Sequence, residues 1–181
     1  MPHCETVKRC LPAAILILAA AVGLAGGCKP NGTAPVALTS GAPWLLTNAQ
    51  PRLPTIKLYL GAQEMVTEVA ETGRQQMCGM MFRTNMGENE GMIFLLGQPM
   101  QASFWMKNCP LPLSAAYIDP EGTILEIHAL QPQDTNAVLA TAHNIQYVLE
   151  TPQGWFQKNG VTTGAVVRTE KGSLAETFSG R

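Results

Sequence analysis

Lys107 and Asn108 end the run Ala102-Ser103-Phe104-Trp105-Met106 and stand just before Cys109-Pro110-Leu111-Pro112-Leu113. An ammonium and a carboxamide fit next to packed aromatic and thioether groups only if something pairs with them. Beside the Trp105 indole, the pair can orient a small polar ligand. It can equally close a structural corner, with Asn108 capping the turn before Pro110.

Other constellations are weaker. Cys109 with His143-Asn144, or Ser103 or Ser114 with His128, pairs a nucleophile with a base. None has a strand–turn–helix elbow or a cysteine-protease signature. Pro110 also argues against a helix N-terminus that would acidify the Cys109 thiol. His128, Asp134 and His143 could ligate a metal, but no close-spaced histidine pair is present. The nine methionines, including Met77, Met80, Met81, Met86, Met92, Met100 and Met106, raise soft-metal or copper binding. Their spacing mixes strand and loop without a repeated thioether cluster, so adaptable core filling is the better account. Neither a metal nor a cofactor is expected, and no catalytic residue is assigned. An enzyme acting on carbohydrate or cell wall would need two carboxyls facing a cleft. Glu126 and Glu150 are the strand-borne pair, and beyond about 10 Å apart they could not serve.

The elements around these residues are short. Ile56, Leu58 and Leu60 alternate with Lys57 and Tyr59, a half-buried strand ending at Gly61. Met65–Ala70 continues as a second strand, and Thr72 can cap one or two helical turns through Met77. Gly91–Leu96 and Ala102–Met106 are continuously apolar and read as buried strands. Ala115–Ile118 and Thr123–His128 flank Asp119-Pro120-Glu121-Gly122, a hairpin with turn chemistry at its tip. Tyr147–Glu150 is another strand, Pro152–Gly160 a short helix, and Ala165–Arg168 the closing strand. The fold class is mainly β: an antiparallel β-sandwich or partly closed barrel with one or two short helices.

Of the 181 residues, 46% are hydrophobic and 14% charged, with a net charge of −1. No basic face for phosphate backbones follows, so no nucleic acid partner is expected. Lys8 and Arg9 precede an apolar stretch from Leu11 to Ala25, the pattern of an export signal, too short for a spanning helix. Leu24-Ala25-Gly26-Gly27-Cys28 resembles a bacterial lipobox, although Ala25 stands where leucine is usual. Three readings stay open: lipidation of Cys28, favoured; cleavage near Ala21 to Ala25; or an uncleaved anchor. Residues 29–54, with Pro30, Pro35, Pro43, Pro51 and Pro54, read as a tether, with Trp44-Leu45-Leu46 able to dock on the domain. The division is then a signal segment 1–28, a tether 29–54, a β-domain 55–178 and a tail 179–181. The chain is expected to be a membrane-attached monomer in the cell envelope.

Taken in order, Gly79-Met80-Met81-Phe82-Arg83, Gly91-Met92-Ile93-Phe94, Phe104-Trp105-Met106-Lys107-Asn108 and Pro112-Leu113 resemble the family of the domain of unknown function 192. Asp119-Pro120-Glu121-Gly122, Tyr147-Val148-Leu149-Glu150, Gly154-Trp155, Gly160 and Gly164 continue the resemblance. It implies a compact β-sandwich-like domain and no known activity. Within it the polar residues are Arg83, Lys107, Asn108 and Glu150. As a ligand site, Arg83 and Lys107 would hold an anionic or sugar-like molecule beside Trp105; as structure, Arg83 would meet an acid or carbonyls and Lys107 would pair with Glu150 or Glu126. Ser114 stands where the family usually has Asp, and Ala165 where it often has Asp after Gly164, so chemistry carried by those acids would be absent here.

Cys78 and Cys109 are the thiols left in the domain if Cys28 is lipidated. In an oxidising compartment they suggest a disulfide, and relatives more often place an apolar residue and Thr there. A bridge would close a loop of about 30 residues and contribute about 3–4 kcal/mol. Two buried free thiols are the alternative. The function expected is a small-ligand binding or accessory module of the envelope; an enzyme on carbohydrate, or a protein-interaction module, are the alternatives.

Overall fold

Alternation and turn chemistry decide where the chain folds back. Ile56, Leu58 and Leu60 point one way from β1 (Thr55–Leu60), and Gly61, at φ 64°, turns the chain into β2 (Gln63–Ala70). Thr72 and Gln75 then form a capping box that starts α1 (Gly73–Cys78). The computed structural model describes residues 47–179. The readings of the export segment, Cys28 and Trp44-Leu45-Leu46 lie outside the described residues.

Strand β3 (Glu90–Met100) returns parallel to β2, with α1 in the connection. It is followed by β4 (Ser103–Phe104), β5 (Leu113–Ile118), β6 (Ile124–Leu130), β7 (Val138–Leu139) and β8 (Ile145–Pro152). The chain closes with α2 (Trp155–Lys158), β9 (Val167–Thr169), β10 (Gly172–Ser173) and α3 (Leu174–Phe178). One eight-stranded sheet runs in the order β10-β9-β1-β2-β3-β8-β5-β6, and β4 pairs with β7 in a separate ribbon. Apart from β2–β3, every pairing in the large sheet is antiparallel. An isolated bridge between Thr123 and Val166 ties the chain entering β6 to the chain entering β9, near opposite ends of the sheet. The sheet is thus curled and pinned at one point, not closed into a barrel. The expectation of a mainly β, largely antiparallel fold holds.

The central strands are buried on both faces. Ile93, Leu95, Ala116, Ile118, Tyr147 and Leu149 join one core with Trp155, Phe156, Leu174 and Phe178 from the helices. Met92, Phe94, Ala115, Tyr117 and Val148 join the other with Met80, Met106 and Cys109. This explains why Gly91–Leu96 is continuously apolar: neighbouring residues enter different cores. Gly91 itself is required by packing, because a Cβ there would lie 2.7 Å from Met65 Sδ and 3.0 Å from the Glu150 carbonyl oxygen.

Ala102–Met106 departs from expectation. Only Ser103 and Phe104 form a strand, and Trp105 is 46% exposed. The strand pairs with β7 alone, and the Met106 amide leaves it to donate to the Asp134 carbonyl at 2.8 Å. Helix α3 was also not anticipated, although Ser173-Leu174-Ala175-Glu176 carries a capping box, and both of its bonds are formed.

Candidate functional site

Helix α1 is held against β3 by its own amides and by neighbours. Gln76 Nε2 donates to the Leu95 carbonyl at 2.6 Å, and Gln50 Nε2 reaches the Gln75 and Gly79 carbonyls at 3.1 and 3.0 Å. Gln50 belongs to the Pro-rich stretch read as tether, so the end of that stretch lies against the domain. The helix ends at Gly79, φ 43°, where an added Cβ would touch the Phe94 ring at 3.4 Å. Between α1, β3 and the chain from Ser103 to Lys107 lies a cavity of about 310 Å³. Its lining includes Met77, Cys78, Met80, Met81, Met106 and Cys109, together with Phe94, Phe104 and Trp105. A volume of this size and an apolar lining are at the small end of what ligand pockets use.

One carboxyl enters this apolar setting. Glu150 sits on β8 opposite Met92 of β3 and Ala115 of β5, so it points into the second core, and it lines the cavity while only 4% exposed. Burial pushes its carboxyl up to about 8. Burial, and then the Glu150 charge, push the Cys109 thiol up to about 11; the same two causes, joined by Glu126, raise the Tyr117 hydroxyl. Both neighbours direct their protons elsewhere: Tyr117 donates to the Val138 carbonyl at 2.7 Å and Cys109 to the Leu111 carbonyl at 3.7 Å. Among the described residues no protein group makes a hydrogen bond or ion pair with the Glu150 side chain.

Of the residues singled out from sequence, Trp105, Lys107 and Glu150 come together on this cavity. The Lys107 ammonium lies over the Trp105 ring, 5.4 Å from its centroid. Arg83 and Asn108 are elsewhere. Arg83 is buried against Glu68, with contacts of 3.0 and 2.9 Å. Burial alone would raise the Glu68 carboxyl, but bonds from Arg83, the Leu53 amide and Arg52 outweigh it and hold the carboxyl below its ordinary value. Asn108 adopts φ 58°, and its carbonyl accepts the Phe82 amide at 2.7 Å. With Phe82 and Gln133, the other non-glycine residues of positive φ among the described residues, it lines a separate cavity. Asn108 is a turn residue here.

Ser114, His128, Asp134 and Glu126 are likewise engaged in local bonds. Ser114 Oγ accepts the Gly154 amide at 3.0 Å, an acceptor's role in a turn that an aspartate could equally fill. His128 bonds Glu126 at 2.8 Å, Asp134 holds Asn136, and among the described residues no cluster of three His, Cys, Asp or Glu could hold a metal. Glu126 accepts the Thr141 and Ala142 amides. It faces Tyr117 while Glu150 faces Ala115, so two strand spacings and a two-residue offset separate their Cα atoms by roughly 12 Å. Glu126 does not line the cavity, so the two do not form an acid pair across it. Cys78 and Cys109 are both free thiols and both line the cavity.

Sequence reasoning missed Glu68 as the partner of Arg83, although an acid between Val66-Thr67 and Val69-Ala70 was a usable signal. It also missed the sulfur-rich lining, because residues 77–81 and 106–109 meet only through tertiary structure.

No curated protein matches the chain. Among solved structures it is similar to a proposed transcription regulator from Sinorhizobium meliloti 1021, at 27% identity and TM-score 0.62, over 66% of this chain and 97% of the other. A protein of unknown function from Novosphingobium aromaticivorans DSM 12444 is 31% identical, with TM-score 0.57, over 63% of this chain and 83% of the other. The family model DUF192, described as Uncharacterized ACR, matches residues 56–169, and the chain belongs to that family.

Proposed function

We propose that the domain is a small-ligand binding module of the cell envelope, with the cavity between α1 and Ser103–Lys107 as its site. The observation that carries this is Glu150, a carboxyl kept in an apolar core without a protein partner and facing a preformed cavity. Such a group costs stability, and a recognition role is a reason to keep it. The half-exposed Trp105 beside that cavity offers a ligand an aromatic face. The test is a thermal-shift screen of compounds of about ten non-hydrogen atoms, repeated on a Ser103→Trp variant that puts an indole at the cavity lining. Compounds that raise the melting temperature of the parent and not of the variant are the expected result. Equal shifts in both proteins, or none in the parent, would overturn the reading.

Export and lipid attachment at Cys28 belong to the same proposal. They rest on Lys8-Arg9, the apolar run Leu11–Ala25 and the small residues before Cys28. Palmitate labelling of the expressed full chain should mark Cys28. An unlabelled protein whose N-terminus lies upstream of Cys28 would refute it.

A further inference from the structure

We infer that the ligand of this cavity is a compact organic cation, an amine on an apolar body, whose charge is met by Glu150. The inference rests on the cavity being the binding site and adds the class of molecule it takes. Four observations lead to it. Glu150 is buried and lines the cavity, while the neighbouring donors, the Tyr117 hydroxyl and the Cys109 thiol, are committed to the Val138 and Leu111 carbonyls. The cation on the same cavity, Lys107, lies over Trp105 and makes no ion pair with a carboxylate among the described residues. The other candidate cation, Arg83, is bound to Glu68. A buried carboxyl therefore has no opposite charge beside it to support its ionised form, and a ligand can supply one.

The surroundings choose the kind of cation. At about 310 Å³ the cavity has room for about ten water-sized groups, which is the size of a small organic molecule and far more than one bare ion needs. Phe94 and Phe104 meet edge to face with centroids 5.0 Å apart, and both line the cavity. Aromatic faces and thioether sulfurs attract a cationic head and adapt to an apolar body. An anionic ligand would gain no opposite charge from Glu150.

Three probes of similar shape test this on the full chain by calorimetric titration: 2-phenylethylamine, 2-phenylethanol and 3-phenylpropanoate. The amine should bind at least tenfold more tightly than the alcohol, and the carboxylate least. Glu150→Gln should bring the amine down to the level of the alcohol. Equal binding of amine and alcohol would overturn the inference while leaving the cavity as a binding site. Tightest binding of the carboxylate would overturn it in favour of Lys107 as anchor. Silver(I) binding without any response to the amine would overturn it in favour of a soft-ion site built on the sulfurs. Silence from all four probes, with no hit in the thermal-shift screen, would remove the binding reading as well.

Discussion

Arg83 holds Glu68 through two parallel contacts, Nη1 to Oε1 at 3.0 Å and Nη2 to Oε2 at 2.9 Å, with both side chains buried. The Leu53 amide adds a third bond to the carboxylate at 2.7 Å, so the pair also fastens the chain entering β1. Removing one partner strands the other charge in the interior. Arg83→Met should therefore cost about 3–5 kcal/mol in denaturant unfolding. Arg52 reaches the same carboxylate at 2.7 Å from an exposed position, and Arg52→Ala should cost about 1 kcal/mol or less. Because Glu68 is held below its ordinary value when folded, the stability it contributes is present at neutral pH. It should be lost as pH falls below about 4.3, and Glu68→Gln should flatten that acid limb.

Gly91 is a packing glycine. Its φ is not in the left-handed region, yet an added methyl would press on Met65 Sδ at 2.7 Å, the Glu150 carbonyl at 3.0 Å and Leu149 Cδ1 at 3.3 Å. The thioether can move, but the backbone carbonyl of β8 cannot move without disturbing the β3–β8 ladder. Gly91→Ala should destabilise by about 1–3 kcal/mol, read from the denaturation midpoint.

Asn108 should respond to backbone shape and not to loss of its amide. At φ 58° glycine is tolerated and a β-branched residue is not. Asn108→Gly should be within about 0.5 kcal/mol of the parent, and Asn108→Val should cost about 1–2 kcal/mol. Neither should change binding in the cavity, because Asn108 lines a different one. Calorimetric unfolding and the probe titrations check both statements.

How much was readable in the sequence follows from how local each signal is. The β1 alternation, the Thr72 cap and the Asp119–Gly122 turn are contained in a few residues, and each appears where the residues put it. The sequence brings Glu150 forward as a partner for Lys107, and the two do share a cavity, but Lys107 lies over Trp105 and the acid that Arg83 meets is Glu68. Pairing between charges separated by tens of residues depends on strand order, and β3 lies between β2 and β8 only because a parallel crossover places it there. The sulfur-rich wall was hidden for the same reason.

Glu150 should set the pH dependence of stability on the side above the Glu68 acid limb, and that of the proposed binding. A carboxyl raised to about 8 in the folded chain and ordinary in the unfolded chain binds its proton more tightly when folded. Stability should therefore fall as pH rises from about 4.5 towards 8 and level off above it, by an upper bound on the order of 5 kcal/mol. Glu150→Gln should remove this slope, and the difference between parent and variant isolates it from other groups. Cys109, raised to about 11, and Tyr117, raised further, stay protonated through the window and do not blur it. Binding should run the opposite way. An ammonium is met by the carboxylate, so below pH 8 each binding event releases the Glu150 proton, and affinity for 2-phenylethylamine should rise by up to tenfold per pH unit before levelling. Titrations in buffers of different ionisation enthalpy count that proton directly. A pH-independent affinity with no proton released would show that the amine is not paired with Glu150.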